Sequence, residues 1–184
     1  MKSMKFLLLL VLSLTFSNFA SAGLYLAGEG SYIKTKSSVS YADGMTSFSP
    51  GAVLGYGFGK DKDFPAFGLE AGWRKHKLET TISLLGSSGT YSLDDTIWNI
   101  GGRYWMGYFG LKAGVLYQQV KTGAFTLLGA TVPASSSTET GYYFGLGLNV
   151  PLSAMFSFYV DGEYMVLGSD LNAIGATAGL RVMF

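Results

Sequence analysis

The chain has 184 residues with no cysteine, 26 glycines, 13 Phe, 12 Tyr and 3 Trp, against 13 Lys and Arg and 12 Asp and Glu. That length is one ordinary domain, and a charged fraction of 14% with this much apolar content is the reverse of a disordered chain. A net charge of +1 gives no electrostatic footprint for nucleic acid. The absence of cysteine removes disulfide scaffolds, thiolate metal sites and Cys nucleophiles, and the single histidine, His76, cannot build a multi-His metal centre. No catalytic, metal or cofactor-binding residue is therefore expected.

The first element is an address. Lys2 and Lys5 precede an apolar run from Phe6 to Phe16, and Ala20-Ser21-Ala22 is a small-x-small cleavage site. Residues 1–22 read as a cleavable secretory signal peptide of bacterial type, its apolar run short of the about 20 residues that span a bilayer as a helix. Its removal leaves 11 basic and 12 acidic residues, a net charge of −1 on residues 23–184.

The rest alternates with period two. Eight segments carry the signal, at about 24–33, 52–58, 67–74, 98–106, 109–117, 142–150, 156–166 and 174–184. On one parity, no position is charged and all are apolar, aromatic or glycine. The other parity carries Glu29, Glu70, Arg74, Arg103, Lys112, Asp161, Glu163 and Arg181, together with many glycines. A soluble barrel would need charge outside and bulk inside. With the faces exchanged, the apolar parity meets lipid and the glycines let strands close around a narrow, charge-bearing lumen. Backbone groups in lipid must all be paired, and a closed barrel is the only β solution. The expectation is an all-β fold: an eight-stranded, antiparallel, up-and-down transmembrane β-barrel over residues 23–184.

Alternating strand direction sorts the outward aromatics into two girdles. Phe58, Phe67, Phe109, Phe156 and Phe184 fall at the lower rim, and Tyr32, Trp73, Trp98, Tyr117, Tyr142 and Tyr164 at the upper. The connections at 60–65, 107–108 and 151–154 are short, while those at 35–49, 77–95 and 119–140 are long, the outer-membrane pattern. The apolar content within 80–93 and 124–137 predicts hairpins that rise above the membrane, whose edges would suit strand addition by a partner.

The signal peptide, the eight amphipathic segments and the terminal strand together resemble the small OmpA/OmpX-like outer-membrane β-barrels. Leu180, Val182 and Phe184 are similar to the C-terminal β-signal of that class, although Ala176 and Ala178 stand where an aromatic is usual. The resemblance implies a Gram-negative outer membrane, insertion by the barrel-assembly machinery and contact with outer-membrane lipids and lipopolysaccharide, here as a monomer. It implies no cell-wall-binding domain.

Four acids and four bases on the inward parity predict a salt-bridge network that fills the lumen and fixes register, because buried ions persist only when paired. The alternative is a narrow ion path. His76 lies at the upper rim, where a water-exposed histidine is expected; a lipid A-modifying enzyme would need it beside a serine and an acid, a pattern the chain lacks. Arg74, Lys75 and Lys77 read as a basic rim patch facing lipopolysaccharide phosphates. The expected function is a non-enzymatic structural or surface-interaction barrel, adhesin-like through its loops, with a small porin as the alternative.

Overall fold

The computed structural model describes residues 21–37, 44–59, 67–84, 87–127, 130–168 and 171–184. Most of the signal segment lies outside the described residues; Ser21 and Ala22 are already in a strand, two residues ahead of the expected cleavage point. Eight strands form one closed barrel: β1 (Ser21–Ser37), β2 (Thr46–Gly59), β3 (Phe67–Leu84), β4 (Ser87–Met106), β5 (Phe109–Thr122), β8 (Ser135–Pro151), β9 (Phe156–Val166) and β10 (Leu171–Met183). Two three-residue strands, β6 (Phe125–Leu127) and β7 (Ala130–Val132), make a separate hairpin between β5 and β8. Every ladder is antiparallel, and β1 pairs with both β2 and β10 to close the ring.

The alternation sets the faces. Ile100, Val115, Leu146 and Ile174 are exposed outward, whereas Glu29, Glu70, Arg103 and Asp161 on the opposite parity are buried. The barrel closes tightly because glycines receive the inward rings. A Cβ on Gly55 would strike the Tyr25 ring, one on Gly101 or Gly114 would strike Tyr143, and one on Gly179 would sit 2.7 Å from Tyr159. The Gly107–Tyr108 turn uses a positive φ of 65° at Gly107 to join β4 to β5 in two residues.

The strands are longer than the sequence periodicity indicates. β3 and β4 continue to the Leu84–Ser87 pair, the rising hairpin expected within 80–93; beyond Leu78–Leu93 it is a two-stranded ribbon, since the β2 ladder ends at Arg74 and the β5 ladder at Leu93. β5 runs to Thr122 and β8 starts at Ser135, shortening the expected 119–140 loop. The reason is a change of solvent. At and above the upper girdle the inward positions Ile33, Leu78, Ile97, Leu116, Met165 and Leu167 are apolar and form one buried cluster. The outward positions there include Lys34, Lys36, Lys75, Lys77 and Lys121, all exposed. Inside and outside trade chemistry where lipid gives way to water, and the period-two pattern of the lower wall inverts there rather than stopping.

Candidate functional site

The eight inward charges converge at mid-barrel. Arg103 donates from Nε to Glu70 (2.7 Å) and from both terminal nitrogens to Asp161 (2.8 Å each). Arg74 donates from Nε to Glu29 (2.6 Å) and in a two-pronged contact to Glu163 (2.6 and 2.8 Å). Lys112 joins the two arginine clusters, donating to Asp161 at 2.8 Å and to Glu163. Planar guanidinium forks matched to carboxylates are the strong form of this contact. Three of the acids also accept from a hydroxyl: the Tyr25 hydroxyl donates to Glu70 and the Tyr159 hydroxyl to Glu29, both at 2.7 Å, and Thr177 donates to Glu163 at 3.1 Å.

Arg181 is held differently. Its closest carboxylate oxygen is on Glu70, 3.6 Å away. Its guanidinium lies 4.5, 5.1 and 5.2 Å from the ring centroids of Tyr25, Tyr159 and Trp105. Cation–π contact is worth most in such a desolvated site. Tyr25, Trp105, Tyr143 and Tyr159 share the inward parity of the charges; their pattern was present in the sequence, hidden by the apolar reading of aromatics.

Above the ions sits a polar step. His76 and Asp95 are directly opposed across β3 and β4, and Gln118 on β5 donates to Asp95 at 2.9 Å. His76 is fully buried, not the water-exposed rim residue the sequence suggests, because β3 continues upward and the apolar cluster closes over it. Both its ring nitrogens and the second Asp95 carboxylate oxygen lack a hydrogen-bond partner among the described residues. This layer lies three residues above the Trp73–Trp98 pair, outside the lipid belt. Burial, reinforced by the Arg74 charge, holds the His76 imidazole down to about 4. Burial pushes the Asp95 carboxyl up to about 7, against the Gln118 hydrogen bond. Asp95 was expected in a loop and instead points into the lumen.

The basic rim patch is also different from expectation. Arg74 points inward and is spent on Glu29 and Glu163. Lys77 is exposed and paired with Glu79 at 2.8 Å, which leaves Lys75 as the patch's unpaired cation among the described residues.

The lower-girdle residues Phe67, Phe109, Phe156 and Phe184 are exposed. Phe58 is buried, stacked on Phe67 with centroids 6.1 Å apart and met edge-on by Tyr56. At the upper girdle Tyr32, Trp98, Tyr117 and Tyr142 are exposed, with Trp73 tilted against Trp98 and Tyr164 against Phe144. Phe48, exposed and paired with Tyr32, is an upper-rim aromatic that the sequence reading placed in a loop. In the terminal strand Leu180 and Phe184 face outward, and Val182 is half-buried.

The upper wall is asymmetric. β3, β4 and β8 rise furthest above the girdle, whereas β9 ends at Val166, two residues past Tyr164. β8 pairs with β5 over its whole outer part, but its ladder to β9 stops at Tyr142–Val166. Ser135 to Thr140 are exposed on both faces and have no β9 partner along their free edge.

No family model and no curated protein matches the chain. Solved structures do. Ail, the attachment invasion locus protein of Yersinia pestis, solved with the heparin analogue sucrose octasulfate, is 17% identical with a TM-score of 0.56, covering 89% of this chain and 99% of that one. Neisserial surface protein A is 15% identical with a TM-score of 0.56 and coverage of 89% and 99%. The outer membrane protein OprG of Pseudomonas aeruginosa is 11% identical with a TM-score of 0.57 and coverage of 91% and 97%. Identities this low speak to fold. Together with a closed barrel that is apolar outside and ionic inside, they show that this chain has the fold of the small eight-stranded outer-membrane β-barrels.

Proposed function

We propose that the protein is a non-enzymatic surface-interaction barrel: a plugged, rigid cylinder that presents the rising β3–β4–β5–β8 wall to extracellular partners. The free edge of β8 at Ser135–Gly141 carries the reading. It is an extended strand above the lipid belt, laddered to β5 on one side and, among the described residues, to no strand on the other, with Glu139 its one charged side chain. Such an edge accepts an incoming strand through backbone hydrogen bonds. The name of the fold neighbour Ail, an attachment protein, is in keeping with this role. The lumen supports it by acting as a plug. Mid-barrel ion pairs are capped by an apolar layer that a hydrated ion would have to cross, which speaks against the small-porin alternative. His76, buried and bonded to no serine among the described residues, supports a non-enzymatic role.

The same proposal includes the cleaved signal peptide at 1–22, insertion by the barrel-assembly machinery through Leu180, Val182 and Phe184, and a monomeric state. Cells expressing the protein should adhere to immobilised extracellular-matrix protein more than cells lacking it. Thr138→Pro, at a residue whose backbone N–H faces the β9 side while Ser137 holds the β5 ladder, should abolish that gain. Equal adhesion by the Pro variant would overturn the edge reading. Steady single-channel conductance from the purified protein would favour a pore, and lipid A altered in a His76-dependent way would favour an enzyme.

A further inference from the structure

The rising wall has an outer face as well as an edge. At the upper girdle, between β4, β5 and β8, this face is hollowed into a concavity of about 540 Å³ walled by Trp98, Tyr117 and Tyr142 and floored by Ile100 and Val115. We propose that this concavity binds an outer-leaflet glycolipid, with a saccharide ring on the aromatic walls and one acyl chain on the Ile100–Val115 floor.

Three observations carry the assignment. First, the site straddles a solvent boundary. Ile100 and Val115 pair across β4 and β5 within the lipid belt and are 65% and 61% exposed, while the wall above is hydrophilic, so the occupant is amphipathic. Second, the walls offer large flat faces. Trp98 and Tyr117 are direct cross-strand partners, Tyr142 pairs with Val115, and all three aromatics are more than half exposed. Gly141 lines the concavity without adding bulk. Rings with one apolar and one wet end suit the interface, and a sugar ring presents the C–H face that such rings stack against.

Third, the register extends the site upward in ordered rows. Immediately above the aromatics the outward parity reads Lys75, Thr96, Gln119 and Thr138 across β3, β4, β5 and β8. The next row reads Lys77, Asp94, Lys121 and Ser136. Hydroxyl and amide groups placed next to a stacked ring match sugar hydroxyls. Lys75 and Lys121, exposed and without an ion pair among the described residues, bracket the rows as point charges for phosphate. A phospholipid head has no ring to stack and would use only the charges. β9 ends at Val166, two residues past Tyr164, so a headgroup beside it finds fewer rows of protein above the girdle.

The inference rests on the outer-membrane reading and is independent of partner binding at the β8 edge. A chain that stayed soluble without detergent would defeat the membrane reading itself, before any lipid is tested. The direct test is native mass spectrometry of the full chain in detergent micelles, with bisphosphorylated lipid A, dephosphorylated lipid A or phosphatidylethanolamine as probe. Bisphosphorylated lipid A should bind at least tenfold more tightly than phosphatidylethanolamine. Trp98→Leu with Tyr142→Leu should remove most of that preference. Lys75→Ala with Lys121→Ala should weaken phosphorylated lipid A several-fold and leave the dephosphorylated form nearly unchanged. Tyr32→Leu, on the same girdle but outside the concavity, should leave binding as it was, and far-UV circular dichroism should show every variant folded. Equal affinity for phosphatidylethanolamine, equal loss in Tyr32→Leu, or full binding by the Trp98/Tyr142 variant would each overturn the site.

Discussion

Replacing Arg103 by alanine removes three charge-assisted hydrogen bonds, one to Glu70 and two to Asp161, at 2.7 and 2.8 Å. Hydrogen bonds to charged groups contribute about 1.5–3 kcal/mol each, a gross loss of roughly 4–9 kcal/mol. Part of it is recovered, because Asp161 keeps Lys112 and Glu70 keeps the Tyr25 hydroxyl. The ring contacts at 4.8 Å to Trp105 and 5.6 Å to Tyr159 are lost as well. The net expectation is about 3–5 kcal/mol, the range for stranding one side of a buried ion pair. Reversible urea unfolding of the barrel in lipid vesicles, followed by tryptophan fluorescence, measures it. The comparison is Thr138→Ala on the exposed part of β8, expected within about 0.5 kcal/mol of the parent. A further variant isolates the charge: Arg103→Met with Asp161→Leu should cost less than Arg103→Ala alone, since no carboxylate is left uncompensated at Asp161. An Arg103→Ala loss as small as that of Thr138→Ala would refute the ionic plug as a source of stability.

The polar step above the plug should respond to pH in two opposed ways. Asp95, pushed up to about 7 against an ordinary value near 4, favours the fold while protonated, so its contribution is complete below about pH 4 and lost as pH rises through 7. Asp95→Asn should therefore stabilise the barrel by about 1 kcal/mol or more at pH 8 and change little at pH 4, read by unfolding at both. His76, held down to about 4, contributes above its ordinary 6.5 and loses that contribution as pH falls through 4; His76→Gln should flatten the acid limb of the stability profile. Gly114→Ala would force a methyl against the Ile100 carbonyl and the Tyr143 ring, and overpacking of this kind should cost about 1–3 kcal/mol in the same unfolding assay. Planar-bilayer recordings at neutral pH should show no steady opening, and Leu78→Ser with Leu116→Ser, which wets the apolar cap while leaving the ions in place, should be the change that admits water-sized probes.

Much of this molecule is legible before it folds. The uncharged parity of the lower strands, the charges confined to the other parity, and the glycines beside them already dictate a closed barrel with lipid outside, since only a ring leaves no backbone edge in hydrocarbon. Glu29, Glu70, Arg74, Arg103, Lys112, Asp161, Glu163 and Arg181 could be placed inside from alternation alone, because a strand has only two faces. Their partners could not. That Lys112 bridges Asp161 and Glu163, or that Arg181 rests among three rings, depends on shear and closure, which bring β5, β9 and β10 to the same depth.

The upper third is only partly legible, for a different reason. The apolar content of 80–93 points to a hairpin, but the lipid-facing pattern ends near 77, while Leu78, Leu93 and Ile97 continue the alternation on the inward side. A sequence records which face is apolar and not which solvent lies against it. The depth of the bilayer, set by the girdles of the assembled barrel, decides where outside becomes wet. At that height the same two faces exchange roles, burying His76 and Asp95, while β5 and β8 continue upward together and carry the β8 edge. Thus the sequence by itself determined a membrane-spanning barrel and its inward charges, through local alternation. Only the tertiary structure decided how those charges pair, where the lumen is capped and which surface stands clear of the membrane, because each depends on strands far apart in the chain meeting at one depth.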